Sequence, residues 1–164
     1  MPRPVKPRKA DPRDAFAKGI GLLARREHSA RELKAKLAIR GHADGEVRDA
    51  VDRLKDRSYQ SDDRFAASLA RSRAGQGYGP LRITLELKSH GLNAAAIRAT
   101  LDATDCDWQA SAAAQMRKRF GRAAAADASE RARRAQFLLR RGFDPATVRL
   151  VTRAEVEDPG EEFD

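Results

Sequence analysis

Residues 79–93 read Gly79-Pro80-Leu81-Arg82-Ile83-Thr84-Leu85-Glu86-Leu87-Lys88-Ser89-His90-Gly91-Leu92-Asn93, and this stretch decides the fold. Pro80 falls at a first helical position, where a missing N–H costs nothing. Gly91 is placed as a left-handed stop, and Asn93 as the cap of a following helix. Leu87 stands four residues before the glycine and Ile97 six after it. The same frame recurs on both sides. Gly41 lies 50 residues upstream and Gly142 lies 51 downstream, with Leu37 and Leu138 four before them and Val47 and Val148 six after. Ser29-Ala30 occupies the place of Gly79-Pro80, and Ser29 with Glu32 forms a capping-box signal. The next helices then start near Asp44, Asn93 and Asp144-Pro145.

Upstream of each helix pair lies a further helical stretch, roughly 14–26, 62–74 and 108–126. In the second of these Phe65 and Leu69 make an i, i+4 apolar seam behind a cap at Ser61 or Asp62. Short amphipathic helices resemble one another easily, but three glycines with matched apolar offsets at near-constant spacing argue for a true repeat. The expected fold is all-α: a tandem array of three three-helix repeats, elongated, with its curvature left open. Each unit has too few apolar residues to stand alone, so neighbours should stack or share cores. The expected boundaries are a basic Pro-rich arm over 1–13, repeats over 14–57, 58–106 and 107–154, and an acidic tail over 155–164. Both ends read as disordered, the first from its four prolines and charge, the second from its acids with Pro159 and Gly160.

Composition supports the helical reading, because Leu, Ala, Arg, Lys and Glu dominate a chain of 164 residues with only 5% aromatics. The formal net charge is +9, and its layout matters more than its size. Arg3, Lys6, Arg8, Lys9 and Arg13 crowd the first arm, while Glu155, Glu157, Asp158, Glu161, Glu162 and Asp164 crowd the tail. Between 14 and 154 there remain 28 bases against 17 acids, a net +11. Such a field attracts polyanions and acidic protein surfaces; the plainer alternative is that it only keeps a helical protein in solution. A single cysteine, Cys106, cannot form an internal disulfide, which suits a reducing compartment. No run approaches the ~18 apolar residues of a membrane span, and no apolar stretch follows the basic N-terminus as in a secretion signal. A cytoplasmic protein without a membrane partner is expected.

The most individual wording lies in the middle unit: Tyr59-Gln60-Ser61-Asp62-Asp63-Arg64-Phe65-Ala66, Arg71-Ser72-Arg73, Gly77-Tyr78-Gly79-Pro80, Arg82-Ile83, Glu86-Leu87 and Gly91-Leu92. In order and spacing this closely resembles the central signature of the RecX family. Arg140-Arg141-Gly142-Phe143 with Val148 resembles that family's C-terminal repeat, and Trp108 opening the helix through Arg117-Lys118-Arg119-Phe120-Gly121 fits it too. The first unit, with Leu22-Leu23 and Leu33-Leu37, matches in pattern more than in wording. The likeness spans roughly 14–152 and leaves out both ends. It implies a non-enzymatic, monomeric negative modulator of the RecA recombinase, bound to RecA or to its filament on single-stranded DNA. Suppression of ATP hydrolysis, strand exchange and co-protease activity in DNA repair and the SOS response would follow, with no catalytic residues and no cofactor.

The residues themselves give an enzyme little support. His28, His42 and His90 sit in different units without a partnered Asp, Cys or Ser. A histidine beside a glycine stop, as His42 and His90 are, usually serves the helix C-terminus. Cys106 lacks a neighbouring base to activate it. No metal site is expected. Gly75-Gln76-Gly77-Tyr78-Gly79-Pro80 lacks the Gly-Lys-Ser/Thr ending of a phosphate loop; it reads as a turn whose open helix end could still accept one phosphate. Tyr59, Tyr78 and Trp108 could stack on bases, although packing is the plainer job for each.

Basic clusters carry more weight. Lys36 and Arg40 lie four apart and off the Leu33/Leu37 seam; Arg71, Arg73 and Arg82 surround the central turn; Arg117, Lys118, Arg119, Arg133, Arg134, Arg140 and Arg141 crowd the third unit. These are the candidate residues for binding RecA or a DNA backbone. If DNA is touched, phosphate contacts would dominate. About five on a single strand would give log K a slope of about −3.5 against log salt. The main rival is a sequence-non-specific nucleic-acid-binding helical protein independent of RecA; a purely protein-binding scaffold is the other.

Overall fold

The computed structural model describes residues 12–157, with side chains described from 15 to 153. Of the ends expected to be disordered, 12–13 and 155–157 are described and are helical, so the arm is shorter by two residues and the tail by three; the rest of 1–13 and 155–164 lies outside the described residues. The described residues form helices and no strands: α1 (Pro12–Leu23), α2 (Ala30–Ile39), α3 (Asp44–Asp56), α4 (Asp62–Gly75), α5 (Pro80–Ser89), α6 (Ala94–Ala103), α7 (Trp108–Phe120), α8 (Ala128–Arg140) and α9 (Pro145–Glu157). They group by threes, as the repeat frame requires. By packing, the chain divides into two compact units, residues up to 66 and residues from 67 onward.

The three repeat glycines share one backbone state, φ +88° at Gly41, Gly91 and Gly142. Each ends its helix in the same way. Gly41, Gly91 and Gly142 donate N–H to Ala38, Lys88 and Leu139 (2.9 Å each). The next residues, His42, Leu92 and Phe143, donate to Leu37, Leu87 and Leu138 at 3.4, 3.3 and 3.2 Å. This is the Schellman pattern, in which the residue after the glycine turns inward. His42 is therefore buried in a slot that holds Leu92 and Phe143 in the other repeats. Its ring nitrogens have no hydrogen-bond partner, and Nδ1 lies 3.9 Å from the Glu46 carboxylate in the first turn of α3, so the ring packs inward rather than tending the end of α2.

Helix starts also follow the sequence. Ser29 Oγ accepts from Glu32 N–H (3.0 Å), and Asn93 Oδ1 from Ala96 N–H (2.8 Å). Asp144 Oδ1 accepts from Ala146 and Thr147 N–H (3.0 Å each). The second start in the first repeat is shifted by one: Ala43 takes the cap position, and its N–H donates to the Glu46 carboxylate at 3.3 Å. Two expected extents were too long. The stretch read as 14–26 is helical over Pro12–Leu23, and its last turn tightens as Arg25 N–H bonds Leu22 O (3.1 Å). The stretch read as 108–126 stops at Phe120, because Gly121 adopts φ +84°.

In the first unit, Leu33, Leu37, Val47, Val51 and Leu54 form the buried centre, with Phe16, Leu22 and Leu23 packed on it. In the second unit, Ile83, Leu87 and Ile97 are buried in the middle repeat. Ala112, Met116, Leu138, Phe143, Val148 and Val151 form the core of the third repeat, with Trp108 against it. Trp108 thus packs rather than presents itself to a base.

The connection from α1 to α2 is closed by a polar network. Gln60 Nε2 donates to His28 O (3.2 Å) and to Asp62 Oδ1 (2.8 Å), which also accepts Ala30 N–H (2.9 Å). His28, 2% exposed, donates from Nδ1 to Arg26 O (3.0 Å), and its Nε2 accepts from Lys36 Nζ (3.2 Å). That tautomer follows from the partners and requires a neutral ring. Burial holds the His28 pKa below 6.5; Glu32 opposes this, and Arg26 and Lys36 reinforce it. Burial raises the Glu32 carboxyl, but hydrogen bonds from Arg26 and Lys36 outweigh it and bring its pKa down to about 2. A lowered histidine pKa gives stability that is complete above the unfolded value and lost as pH falls through the folded one. Thermal unfolding of the first unit should therefore shift downward as pH falls below 6.5. Glu32 stays silent there, because its contribution is lost only below 4.5 toward about 2. His28→Asn should flatten the profile between pH 7.5 and 5.5, within about half a degree of constant on the scale set by one titrating group. A parallel slope in both proteins would remove His28 as its source.

Candidate partner-binding surface

Arginines in each repeat gather on an aromatic ring. In the first unit the Arg53 and Arg57 guanidiniums lie 4.4 and 5.4 Å from the Phe16 ring centre, and Tyr59 meets the same ring edge-on at 6.5 Å. In the second unit Tyr78 is flanked by Arg82 at 4.7 Å and Arg141 at 4.8 Å. Phe120, edge-on to Phe137 at 5.5 Å, has Arg119, Arg133 and Arg134 within 5.7, 5.6 and 5.3 Å. A ring face attracts cations and fixes guanidinium planes that would otherwise wander, each by about 0.5–1 kcal/mol at exposed sites. Fixed cations lose less freedom when an anion arrives.

The expected site residues divide accordingly. Arg40, Arg71, Arg82, Arg117, Lys118, Arg119, Arg133 and Arg140 are exposed. Arg117, Lys118 and Arg119 occupy the last turn of α7, where the helix dipole favours cations. Lys36 is partly spent within the first unit on Glu32 (3.0 Å) and His28. Arg73 is held by Glu86 through two hydrogen bonds of 2.7 and 2.5 Å, which keep the Glu86 carboxyl below its usual range.

Two candidates belong to the scaffold. Arg134 is 2% exposed; it donates to Ala123 O (2.9 Å) and pairs with Glu130 (2.8 Å). It lies one turn before Leu138 and so faces the core, which removes it from the partner surface. Arg141 donates to Gln76 O (2.7 Å) and Gly77 O (2.9 Å), tying the third repeat to the turn before α5.

That turn also bears on the expected phosphate position. Gly79 N–H donates to Arg141 O (2.8 Å) and Leu81 N–H to Gly142 O (2.9 Å). The carbonyls just past α8 thus take the Gly79 and Leu81 N–H groups, two of the donors that an anion at the start of α5 would need. Sequence reading missed Arg53 and Arg57. Their i, i+4 spacing off the Val47/Val51/Leu54 seam was the available signal. Among the described residues no group of three His, Cys, Asp or Glu side chains is arranged to hold a metal ion. No helix among them is long and apolar enough to cross a membrane.

The family models of the RecX first, second and third three-helix domains match residues 15–54, 61–101 and 105–152 in turn. The regulatory protein RecX of Xanthomonas axonopodis pv. citri (strain 306) is 44% identical over 157 residues, covering 96% of this chain and 97% of that protein. The regulatory protein RecX of Stenotrophomonas maltophilia (strain K279a) is 44% identical over 153 residues, covering 92% and 94%. The crystal structure of RecX from Lactobacillus salivarius superposes with a TM-score of 0.76 at 17% identity, over 89% of this chain and 97% of that one, a likeness of fold. Three domain matches in order, 44% identity over nearly the full length and the same three-by-three helical frame place the chain in one group: it belongs to the RecX family.

Proposed function

We propose that this protein is a non-catalytic negative regulator of the RecA recombinase, acting in the cytoplasm on RecA or its filament on single-stranded DNA. The observation that carries the reading is the match of all three RecX domains to a chain whose repeats each present ring-anchored arginines. Arg82, Arg119 and Arg133, with Arg117, Lys118 and Arg140 beside them, supply cations to acidic protein surface or to phosphates. Repeats joined in one chain can engage successive subunits of a filament, and linked contacts raise avidity without any single strong one. Seated in the filament groove, the protein would obstruct the second duplex and hinder the subunit movement coupled to ATP turnover. Lowered strand exchange, ATP hydrolysis and co-protease activity follow, in DNA repair and the SOS response.

The test is ATP hydrolysis by RecA on single-stranded DNA, titrated with this protein. Inhibition is expected at substoichiometric amounts, while affinity for bare DNA stays too weak to strip the filament. Unchanged hydrolysis at saturating protein would overturn the reading and leave a basic helical nucleic-acid binder.

A further inference from the structure

Helix α5 is apolar on two sides. Ile83 and Leu87 are fully buried, as the fold requires, but Leu81 and Leu85 are 48% and 68% exposed. They stand one helical turn apart, so they form a continuous stripe. The repeat frame does not demand them: at the same offsets from the glycine, α2 carries Arg31 and Ala35, and α8 carries Ala132 and Gln136. Paired, outward leucines on one repeat of three mark a surface with a use of its own.

The charges beside the stripe have one sign. Arg82 is exposed with its guanidinium held over Tyr78, and Lys88 lies in the last turn. The one acid of the helix, Glu86, is bound by Arg73 at 2.7 and 2.5 Å. An apolar stripe with a positive rim complements a polypeptide segment that carries apolar side chains among carboxylates. A phosphate backbone would satisfy the rim and leave the leucines uncovered.

We propose that the Leu81–Leu85 face of α5 is a protein-docking surface that takes an acidic, apolar segment of RecA, separate from any contact with DNA. The proposal rests on the RecA reading above and adds to it the place and chemistry of one contact. The test uses the full chain, with Leu81→Ser/Leu85→Ser as the variant. Leu150→Ser, at a 54% exposed leucine of α9, is the control. Affinity is measured for RecA without DNA and, separately, for a bare single-stranded oligonucleotide.

The double variant should keep its melting temperature and its oligonucleotide affinity, while its Kd for RecA rises about tenfold or more. The control should change neither. A folded double variant with unchanged RecA affinity overturns the docking surface and leaves the regulatory reading standing. No RecA affinity in the unaltered protein ends both. An equal loss on the oligonucleotide would assign the face to DNA and overturn the proposal. So would a RecA affinity that rises on removal of residues 158–164 only while the leucines are intact, because the acidic tail would then be the occupant.

Discussion

Gly142→Ala is expected to destabilise the protein by about 2–4 kcal/mol, whereas Gly41→Ala should cost about 1 kcal/mol, although both glycines have the same backbone angle. At either position φ is +88°, which an L side chain adopts at a cost of about 1 kcal/mol. The difference is space. A Cβ at Gly41 would meet nothing within 4 Å, but at Gly142 it would lie 2.4 Å from Arg82 Cβ and 2.5 Å from Arg82 N. Backbone cannot yield there as a flexible side-chain tip would. The adjacent bonds from Gly79 N–H to Arg141 O and Leu81 N–H to Gly142 O fix the two segments against each other. Gly79 is locked from the other side, a Cβ there lying 2.4 Å from the Gly142 carbonyl. Chemical denaturation of the two variants measures the contrast. Equal costs would mean that the α5–α8 junction is looser than its hydrogen bonds imply. A larger cost at 142 should also release Arg82 and Arg141 from Tyr78, coupling the junction to the charged surface.

This pair of glycines shows where sequence reading ends. Their role as helix stops was legible, because a left-handed residue between two amphipathic stretches follows from local chemistry alone. So were the caps at Ser29, Asn93 and Asp144. The second role of Gly142 was not, since it depends on which carbonyls from a distant helix arrive at the start of α5. The same ignorance made Gly75–Pro80 look open to a phosphate. Arg133 and Arg134 are chemically identical neighbours in a string of letters; helix phase separates them. One is exposed, and the other lies a turn before buried Leu138 and takes Ala123 O and Glu130 as partners. That phase was available from the Leu138 offset. The ring-centred grouping was not, because Phe16 meets Arg53 and Arg57 only once α1 and α3 have packed.

Reversing Arg117, Lys118 and Arg119 together to glutamate should raise the concentration needed for half-maximal inhibition of RecA about tenfold or more, without unfolding the protein. The three side chains are exposed in the last turn of α7, outside the Ala112/Met116 core of that repeat. Placing acids at a helix C-terminus opposes the dipole, a cost of about 0.3–1 kcal/mol for each at low salt. That is small beside the loss of attraction from a patch whose charge changes sign. Glutamine at the same three positions should give a smaller loss, since attraction is removed without repulsion. The graded order, parent below glutamine below glutamate in half-maximal concentration, distinguishes electrostatic docking from accidental damage to the helix end, which would not follow charge. Salt offers the second axis. If the patch meets carboxylates or phosphates, raising ionic strength should weaken the parent steeply and the glutamine variant less, because fewer ion contacts remain to be screened. Full inhibition by the folded glutamate variant would take the end of α7 out of the interface and leave exposed Arg82, over Tyr78, as the cation to test.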